Sequence, residues 1–344
     1  MNTFTSKLLT WYAGHKRNLP WRHTKDPYTV WLSEVILQQT RVAQGLPYYK
    51  RFLKHFPTVQ DLANASEDEV LKLWQGLGYY TRARNLHRTA KEVTNLHKGA
   101  FPNTYDKLIA LPGIGPYTAS AVASICFDAP TAVVDGNVYR VLARYFDEQT
   151  PINQPKGVRL FRELAQSLMD AKNPGIYNQA IMEFGAIQCT PKQPLCTNCP
   201  LSDTCQSRAN DTIAMRPQKI KSKAAKNRFF HYLVPLDSNQ NTLLYKREGK
   251  DIWHGLYEFP LLEADQLLDE KALKSHPKLP DWAATARWIK FEDEVIKHKL
   301  SHQTLHTHFW ILEGVEQKLP TQWSDVQNVG VPRLIERFLQ KFNR

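Results

Sequence analysis

The chain has 344 residues, 42% of them hydrophobic, enough for two domains that each bury a core. Lys and Arg outnumber Asp and Glu by 45 to 33, a formal net charge of +12 that favours a polyanionic partner, a signal that ribosomal and membrane-surface proteins share. No stretch approaches the ~20 apolar residues of a membrane span. Met1–Leu9 lacks the apolar run of a signal peptide, so the expectation is a soluble protein that stays inside the cell.

Residues 1–205 read mostly as helix. Asp26-Pro27 has the form of an N-cap followed by proline at the first helical position, with Trp31, Val35 and Val42 on one side of the helix that follows. Ser66 and Glu69 are spaced as a capping box opening a helix to Trp74. Further helices cover Thr118–Phe127, whose apolar run places Cys126 as a core thiol, and Gly157–Met169. Arg216, Lys219, Lys221, Lys223, Lys226 and Arg228 then follow with no acidic residue among them. This segment reads as a linker, either a solvated tether or a strap on a phosphate backbone. Beyond it the periodicity changes. Phe229–Leu236 and Thr242–Lys246 read as strands around an Asp237–Asn241 turn, and Leu305–Leu312 as another strand. Val331, Leu334, Ile335, Phe338 and Leu339 form one face of a closing helix. The expected fold class is multidomain: an all-α domain at 1–208, a basic linker at 209–228 and an α+β domain at 229–344.

Four of the five cysteines, Cys189, Cys196, Cys199 and Cys205, are spaced C-x6-C-x2-C-x5-C. Clustered cysteines in an intracellular chain suggest metal rather than disulfides. Zinc is one candidate, but the long first gap fits neither paired C-x2-C zinc sites nor ferredoxin spacing. The spacing resembles the [4Fe–4S] loop of the endonuclease III superfamily of DNA glycosylases. That resemblance implies one [4Fe–4S] cluster, held by a lobe made of 1–25 with 135–208 beside a six-helix region at about 26–134.

The run Leu111-Pro112-Gly113-Ile114-Gly115-Pro116-Tyr117-Thr118-Ala119 points the same way. Gly113 and Gly115 allow positive φ and a close backbone approach, and a helix starting near Thr118 offers free N–H groups to an anion. An ordinary glycine-rich turn is the alternative to a helix-hairpin-helix phosphate clamp. Asp135, in Val133-Val134-Asp135-Gly136-Asn137-Val138, could by itself be a helix cap. The order of hairpin, aspartate and cysteine loop resembles the same superfamily, which implies that Asp135 is the catalytic aspartate.

Two positions narrow the resemblance. Tyr117 stands where the strand-cutting branch carries a nucleophilic lysine, and a phenol cannot form a Schiff base with the sugar. Glu34, in Trp31-Leu32-Ser33-Glu34-Val35-Ile36-Leu37-Gln38-Gln39-Thr40, shares a stripe with Gln38 and Arg41, a polar face pointing away from the core. This segment, with Pro20-Trp21-Arg22 and Gly76-Leu77-Gly78-Tyr79-Tyr80, is similar to the adenine DNA glycosylase (MutY-type) family. The resemblance implies that Glu34 protonates adenine and Asp135 stabilises an oxocarbenium-like sugar. It adds Tyr117 and Asn137 as hydrogen-bonding support and Gln179 as an adenine contact. It also groups Gln38, Gln39 and Tyr79 with the residues that wedge into the stack and hold the opposite base, Thr40 beside them in DNA binding. Tyr139 departs from members with lysine there, which reinforces the expectation of little lyase activity.

Trp253-His254-Gly255-Leu256-Tyr257-Glu258-Phe259-Pro260 resembles a segment of the family's C-terminal Nudix-like domain, but no glutamate-rich metal box follows it. The resemblance implies a domain that recognises 8-oxoguanine through Ser301 and His302. The partners implied are duplex DNA with an A:8-oxoguanine or A:G mispair and a downstream abasic-site endonuclease. The chain would act as a monomer in the cytoplasm, on the nucleoid in a bacterium, or in a eukaryotic nucleus. The competing readings are an endonuclease III-like glycosylase for damaged pyrimidines and a non-catalytic iron–sulfur DNA-binding protein.

Overall fold

The computed structural model describes residues 3–221 and 224–342, so Lys223 of the basic segment lies outside the described residues. The chain divides into two compact units. One comprises the residues up to Asn64 with Asn85–Lys221, the other Ala65–Arg84 with the residues after Lys221. Among the described residues no helix is long and apolar enough to cross a membrane.

The first unit is helical, with α1 (Thr3–His15), α2 (Pro27–Leu37), α3 (Val42–His55) and α4 (Val59–Asn64). The next two helices, α5 (Glu67–Trp74) and α6 (Thr81–His97), straddle the division. The unit resumes with α7 (Tyr105–Ile109), α8 (Pro116–Phe127), α9 (Gly136–Tyr145), α10 (Pro155–Leu168), α11 (Pro174–Glu183) and α12 (Gln206–Ala209). Asp26 caps α2 by accepting from the Tyr28 and Thr29 N–H groups, with Pro27 at the first helical position. The helix stops at Leu37, because Gln39 turns to φ 55° and Val42 begins α3. The expected Trp31–Val35–Val42 stripe is therefore divided between two helices. The polar face also differs from expectation: Glu34 is only 7% exposed, and Arg41 lies beyond the helix end. At the centre runs α8, buried from Thr118 to Ile125 and packed against α2, α7 and α11. It starts at Pro116, and α10 at Pro155, because proline lacks only an N–H that the first turn leaves unpaired. Cys126 is half-buried at the edge of this core.

The ends of the basic segment are structural rather than tethers or phosphate straps. Arg216 is buried and pairs with Asp147 at 2.8 Å, while Arg228 bonds Asp251 and Glu263. Lys219, Lys221 and Lys226 remain exposed.

The second unit is built on a mixed sheet. Its long strands β1 (Lys226–Leu236) and β8 (Gln303–Glu313) run parallel in register from Lys226 opposite Gln303 to Leu236 opposite Glu313. Between them come β2 (Asn241–Thr242), β3 (Tyr245–Lys246), β4 (Tyr257–Glu258), β5 (Leu261–Ala264), α13 (Glu270–Lys274), β6 (Arg287–Lys290) and β7 (Ile296–Lys299). The short β9 (Thr321–Gln322) and α14 (Arg333–Lys341) close the chain. Antiparallel neighbours β5, β6 and β7 complete the sheet. The Asp237–Asn241 turn forms, with Asp237 Oδ1 accepting from the Asn239 and Asn241 N–H groups. It does not make the expected hairpin, since β1 pairs with β5 and β8. The expected Thr242–Lys246 strand splits into β2 and β3, which pair with β9 and β4. Ala65–Arg84, expected in the helical domain, belongs to this unit. Lys72 Nζ donates to Val329 O at 3.1 Å, and Asp68 pairs with Lys246 at 2.5 Å.

One sheet face packs Phe230, Tyr232 and Phe309 against Leu334, Ile335 and Phe338 of α14; the other buries Leu233, Trp288 and Trp310 with Leu273 of α13. Phe338 stacks on Phe309 with centroids 4.2 Å apart and also meets Phe259 and Phe291 edge-on. Phe338→Ala should therefore destabilise this unit by about 3–5 kcal/mol. Denaturant unfolding followed by tryptophan fluorescence would measure it, and a change below ~1 kcal/mol would show that α14 does not hold the sheet.

Candidate active site

Two carboxylates and a phenol converge in the first unit. Tyr117, on the first turn of α8, donates to Glu34 Oε2 of α2 at 2.5 Å and also lies 3.2 Å from Met182 Sδ of α11. Burial pushes the Glu34 carboxyl up to about 7. The Tyr117 hydrogen bond and Arg22 oppose the shift, while the charge of Asp135 adds to it. Burial and both carboxylates likewise hold the Tyr117 phenol protonated.

Asp135 is the N-cap of α9. Its Oδ1 accepts from the Asn137 and Val138 N–H groups, each at 2.8 Å, and its Oδ2 accepts from Asn137 Nδ2 at 2.7 Å. The capping and catalytic readings of this residue are thus compatible, since the cap fixes the carboxylate near Glu34 and Tyr117. Burial raises its pKa, against the pull of those donors and of Arg140. The approach to it is held by Asn178, which accepts from Val133 N–H and donates to Thr131 O.

Sequence reasoning missed two anchors. Arg140 donates to Asn137 Oδ1, Gly185 O and Cys189 O, tying the asparagine beside Asp135 to the cysteine loop. Gly185 is required there, because a Cβ would lie 2.6 Å from Asn137 Cβ. Glu183 accepts from both Arg17 and Arg22. Burial alone would raise its pKa, but those hydrogen bonds bring it down to about 2. Neither residue sits in a spacing pattern, so only Arg22, within Pro20-Trp21-Arg22, stood out.

The other expected residues are placed as follows. Gln38 Nε2 donates to Thr118 Oγ1 at 3.2 Å, Thr40 Oγ1 donates to Gln38 O, and Gln39 is exposed with φ 55°. Gln179 accepts from the Tyr12 hydroxyl at 2.9 Å. Gly113 has φ 76°, and a Cβ there would lie 2.4 Å from Asn85 Cβ. Gly115 does not need positive φ, contrary to expectation: its φ is −90°, and a Cβ would meet nothing within 4 Å. What Gly115 leaves open is access to the first N–H groups of α8. In the second unit Tyr79 is 52% exposed rather than packed in a core, and its hydroxyl lies 2.8 Å from Ser301 Oγ. Ser301 and His302 are exposed in the turn between β7 and β8.

Cys189, Cys196, Cys199 and Cys205 line one cavity with Val141, Tyr145, Phe184 and Leu201. Arg144 donates to Cys189 Sγ at 3.4 Å. Burial pushes the Cys199 thiol up to about 11 and raises those of Cys189 and Cys205. Among the described residues no three His, Cys, Asp or Glu side chains gather tightly enough for a single metal ion. The four thiols instead surround a larger apolar space with a guanidinium at its wall.

Residues 32–166 match the HhH-GPD superfamily of base excision DNA repair proteins, and residues 231–341 match the NUDIX domain. The helical fold and its hairpin define a helix-hairpin-helix DNA repair glycosylase. A solved thermostable thymine-DNA glycosylase is 31% identical with a TM-score of 0.56, covering 60% of this chain and 95% of that one. The adenine DNA glycosylase of Buchnera aphidicola subsp. Baizongia pistaciae is 33% identical over 99% of this chain and 97% of its own. That of Mus musculus is 46% identical over 60% of this chain and 42% of its own. The chain belongs to the adenine DNA glycosylase (MutY-type) family, enzymes of base excision repair that hydrolyse the N-glycosyl bond of adenine in double-stranded DNA.

The raised Glu34 pKa has a stability consequence. A carboxyl raised from 4.5 to about 7 contributes stability that is complete below about pH 4.5 and is lost as pH rises through about 7. Glu34→Gln cannot ionise, so at pH 8.5 it should be more stable than the wild type by up to about 3 kcal/mol, the difference vanishing near pH 4.5. Thermal unfolding across pH measures this, and parallel profiles for the two proteins would contradict a buried, ionisable Glu34.

Proposed function

We propose that this enzyme excises adenine mispaired with 8-oxoguanine or guanine, as a monomer and without cutting the strand. The observation that carries the chemistry is Glu34, buried against Tyr117 and half-protonated near neutral pH. Adenine is a poor leaving group hidden in the duplex, so the nucleotide must be flipped out at a cost of a few kcal/mol. Glu34 then protonates N7 of the base, an acid whose pKa matches the working pH. Bond breaking leaves a positively charged, oxocarbenium-like sugar. Asp135, held ionised by its cap hydrogen bonds and Asn137, faces that charge until water adds. Tyr117 supplies no amine, so no Schiff base forms and the abasic strand passes intact to a separate endonuclease.

Gly113, Gly115 and the start of α8 hold a phosphate, while Gln38, Gln39, Thr40 and Tyr79 hold the opened stack and the opposite base. Ser301 and His302 read the N7–H and 8-oxo edge that distinguishes 8-oxoguanine from guanine. Cys189, Cys196, Cys199 and Cys205 hold one [4Fe–4S] cluster: the apolar cavity too wide for one ion and the Arg144 donor at Cys189 suit four thiolates around several irons. When bound, the cluster supplies cationic iron that keeps the thiols deprotonated and fastens the 189–205 loop. Enzymes of this kind are placed in the compartment that holds the DNA.

Single-turnover cleavage of A:8-oxoguanine and A:G duplexes, at one salt concentration, tests the assignment. Glu34→Gln and Asp135→Asn should bind DNA yet lose ~10²–10⁴-fold in rate. Ser301→Ala with His302→Ala should keep A:G cleavage and lose about tenfold of the preference for 8-oxoguanine. Point variants are needed here, since deleting the C-terminal strands would strip the partners of Ala65–Arg84. Near-normal rates remove a carboxylate from the mechanism, and an undiminished preference moves recognition elsewhere. For the cluster, purified protein should be yellow-brown with about four irons per chain; colourless protein holding one zinc would replace the iron–sulfur assignment.

A further inference from the structure

Tyr12 of α1 is 5% exposed, and its hydroxyl donates to Gln179 Oε1 at 2.9 Å. The Arg22 guanidinium lies over the Tyr12 ring, 5.7 Å from its centroid. One turn along α11, the Glu183 carboxylate accepts three hydrogen bonds from Arg17 and two from Arg22. Both its oxygens are saturated, so it offers nothing to a neighbouring amide. Gln179 Nε2 accordingly has no partner among the described residues. The same side of α11 carries Met182, whose sulfur touches the Tyr117 hydroxyl beside Glu34. The amide is therefore held with its oxygen on Tyr12 and its donor end free.

We propose that Tyr12 is a positioning residue that sets the polarity of the Gln179 amide and so makes the site select adenine over purines carrying a ring N–H. The proposal rests on Gln179 as a contact to the flipped base. Every ring nitrogen of adenine other than the glycosidic one is an acceptor, whereas hypoxanthine and guanine carry an N1–H donor. A fixed N–H donor in the site pairs with an adenine ring nitrogen and opposes an N1–H, leaving two donors face to face. Carboxamide oxygen and nitrogen are nearly isosteric, so without Tyr12 the amide can turn over and present its oxygen instead. An unpaired buried donor is worth about ten- to a hundredfold in discrimination.

The test uses full-length protein and single-turnover excision of adenine or hypoxanthine, each opposite 8-oxoguanine. Tyr12→Phe keeps the ring against Arg22 and removes only the hydroxyl. It should lower adenine excision and narrow the adenine-to-hypoxanthine ratio about tenfold. Gln179→Glu keeps an acceptor for Tyr12 but places a second oxygen toward the base, and should move the ratio the same way. A Tyr12→Phe ratio equal to the wild type's, whether both rates fall together or neither falls, overturns the role of Tyr12. If Gln179→Glu also leaves the ratio unchanged, the contact between Gln179 and the base fails as well. A ratio that moves with Gln179→Glu but not with Tyr12→Phe retains the contact and removes Tyr12 from it.

Discussion

The chemistry of this protein depends on one carboxyl group kept away from water. A glutamate in solvent would be ionised at neutral pH and useless as an acid. Here Glu34 sits on a helix buried on almost every side, and desolvation brings its pKa to about 7. The Tyr117 hydroxyl satisfies one oxygen without supplying a charge, so the group is neither orphaned nor locked in its ionised form. Asp135 is handled in the opposite manner. Two backbone N–H groups and Asn137 favour its charged form even though burial opposes it. Two carboxylates are thereby given different tasks by their surroundings alone.

The remaining charges keep that balance in place. Glu183 consumes Arg17 and Arg22, a fully paired buried ion cluster that leaves Arg22 only a modest pull on Glu34. Arg140 and Arg144 leave the same face of α9, one toward Asn137 and the carbonyls of the cysteine loop, the other toward Cys189 Sγ. The cap of Asp135 and the wall of the cysteine cavity are therefore two ends of one short helix.

In the second unit the parallel pair β1 and β8 forms the spine, and the β7–β8 turn projects Ser301 and His302 from its edge. Glu258, within the segment resembling a Nudix motif, is occupied by Arg247 and Tyr232, so its carboxylate serves the interior. The same unit incorporates Ala65–Arg84, which brings Tyr79 to Ser301. Two residues read separately along the chain as DNA contacts are neighbours within one unit.

Local signals were legible wherever the physics is local. The Asp26 cap, the Ser66–Glu69 capping box, the proline-started helices and the apolar face of α14 need only neighbours a few residues away, and they stand as read. The cysteine spacing, the hairpin glycines and the Glu34 and Asp135 contexts were legible as motifs. Residues whose meaning comes from distant partners were not. Glu34 was read on an exposed polar face, yet α8 and α11 bury it. Arg216 and Arg228 were read as linker charges, yet Asp147 and Glu263 claim them. The β1–β8 pairing, the attachment of Ala65–Arg84, and the Glu183 and Arg140 anchors arise only when chain segments far apart in sequence come together. Sequence by itself determined which groups were available and which short elements they sit on. Tertiary structure alone decided which are desolvated and paired, because burial and hydrogen-bond partners across such separations are properties of the packed fold.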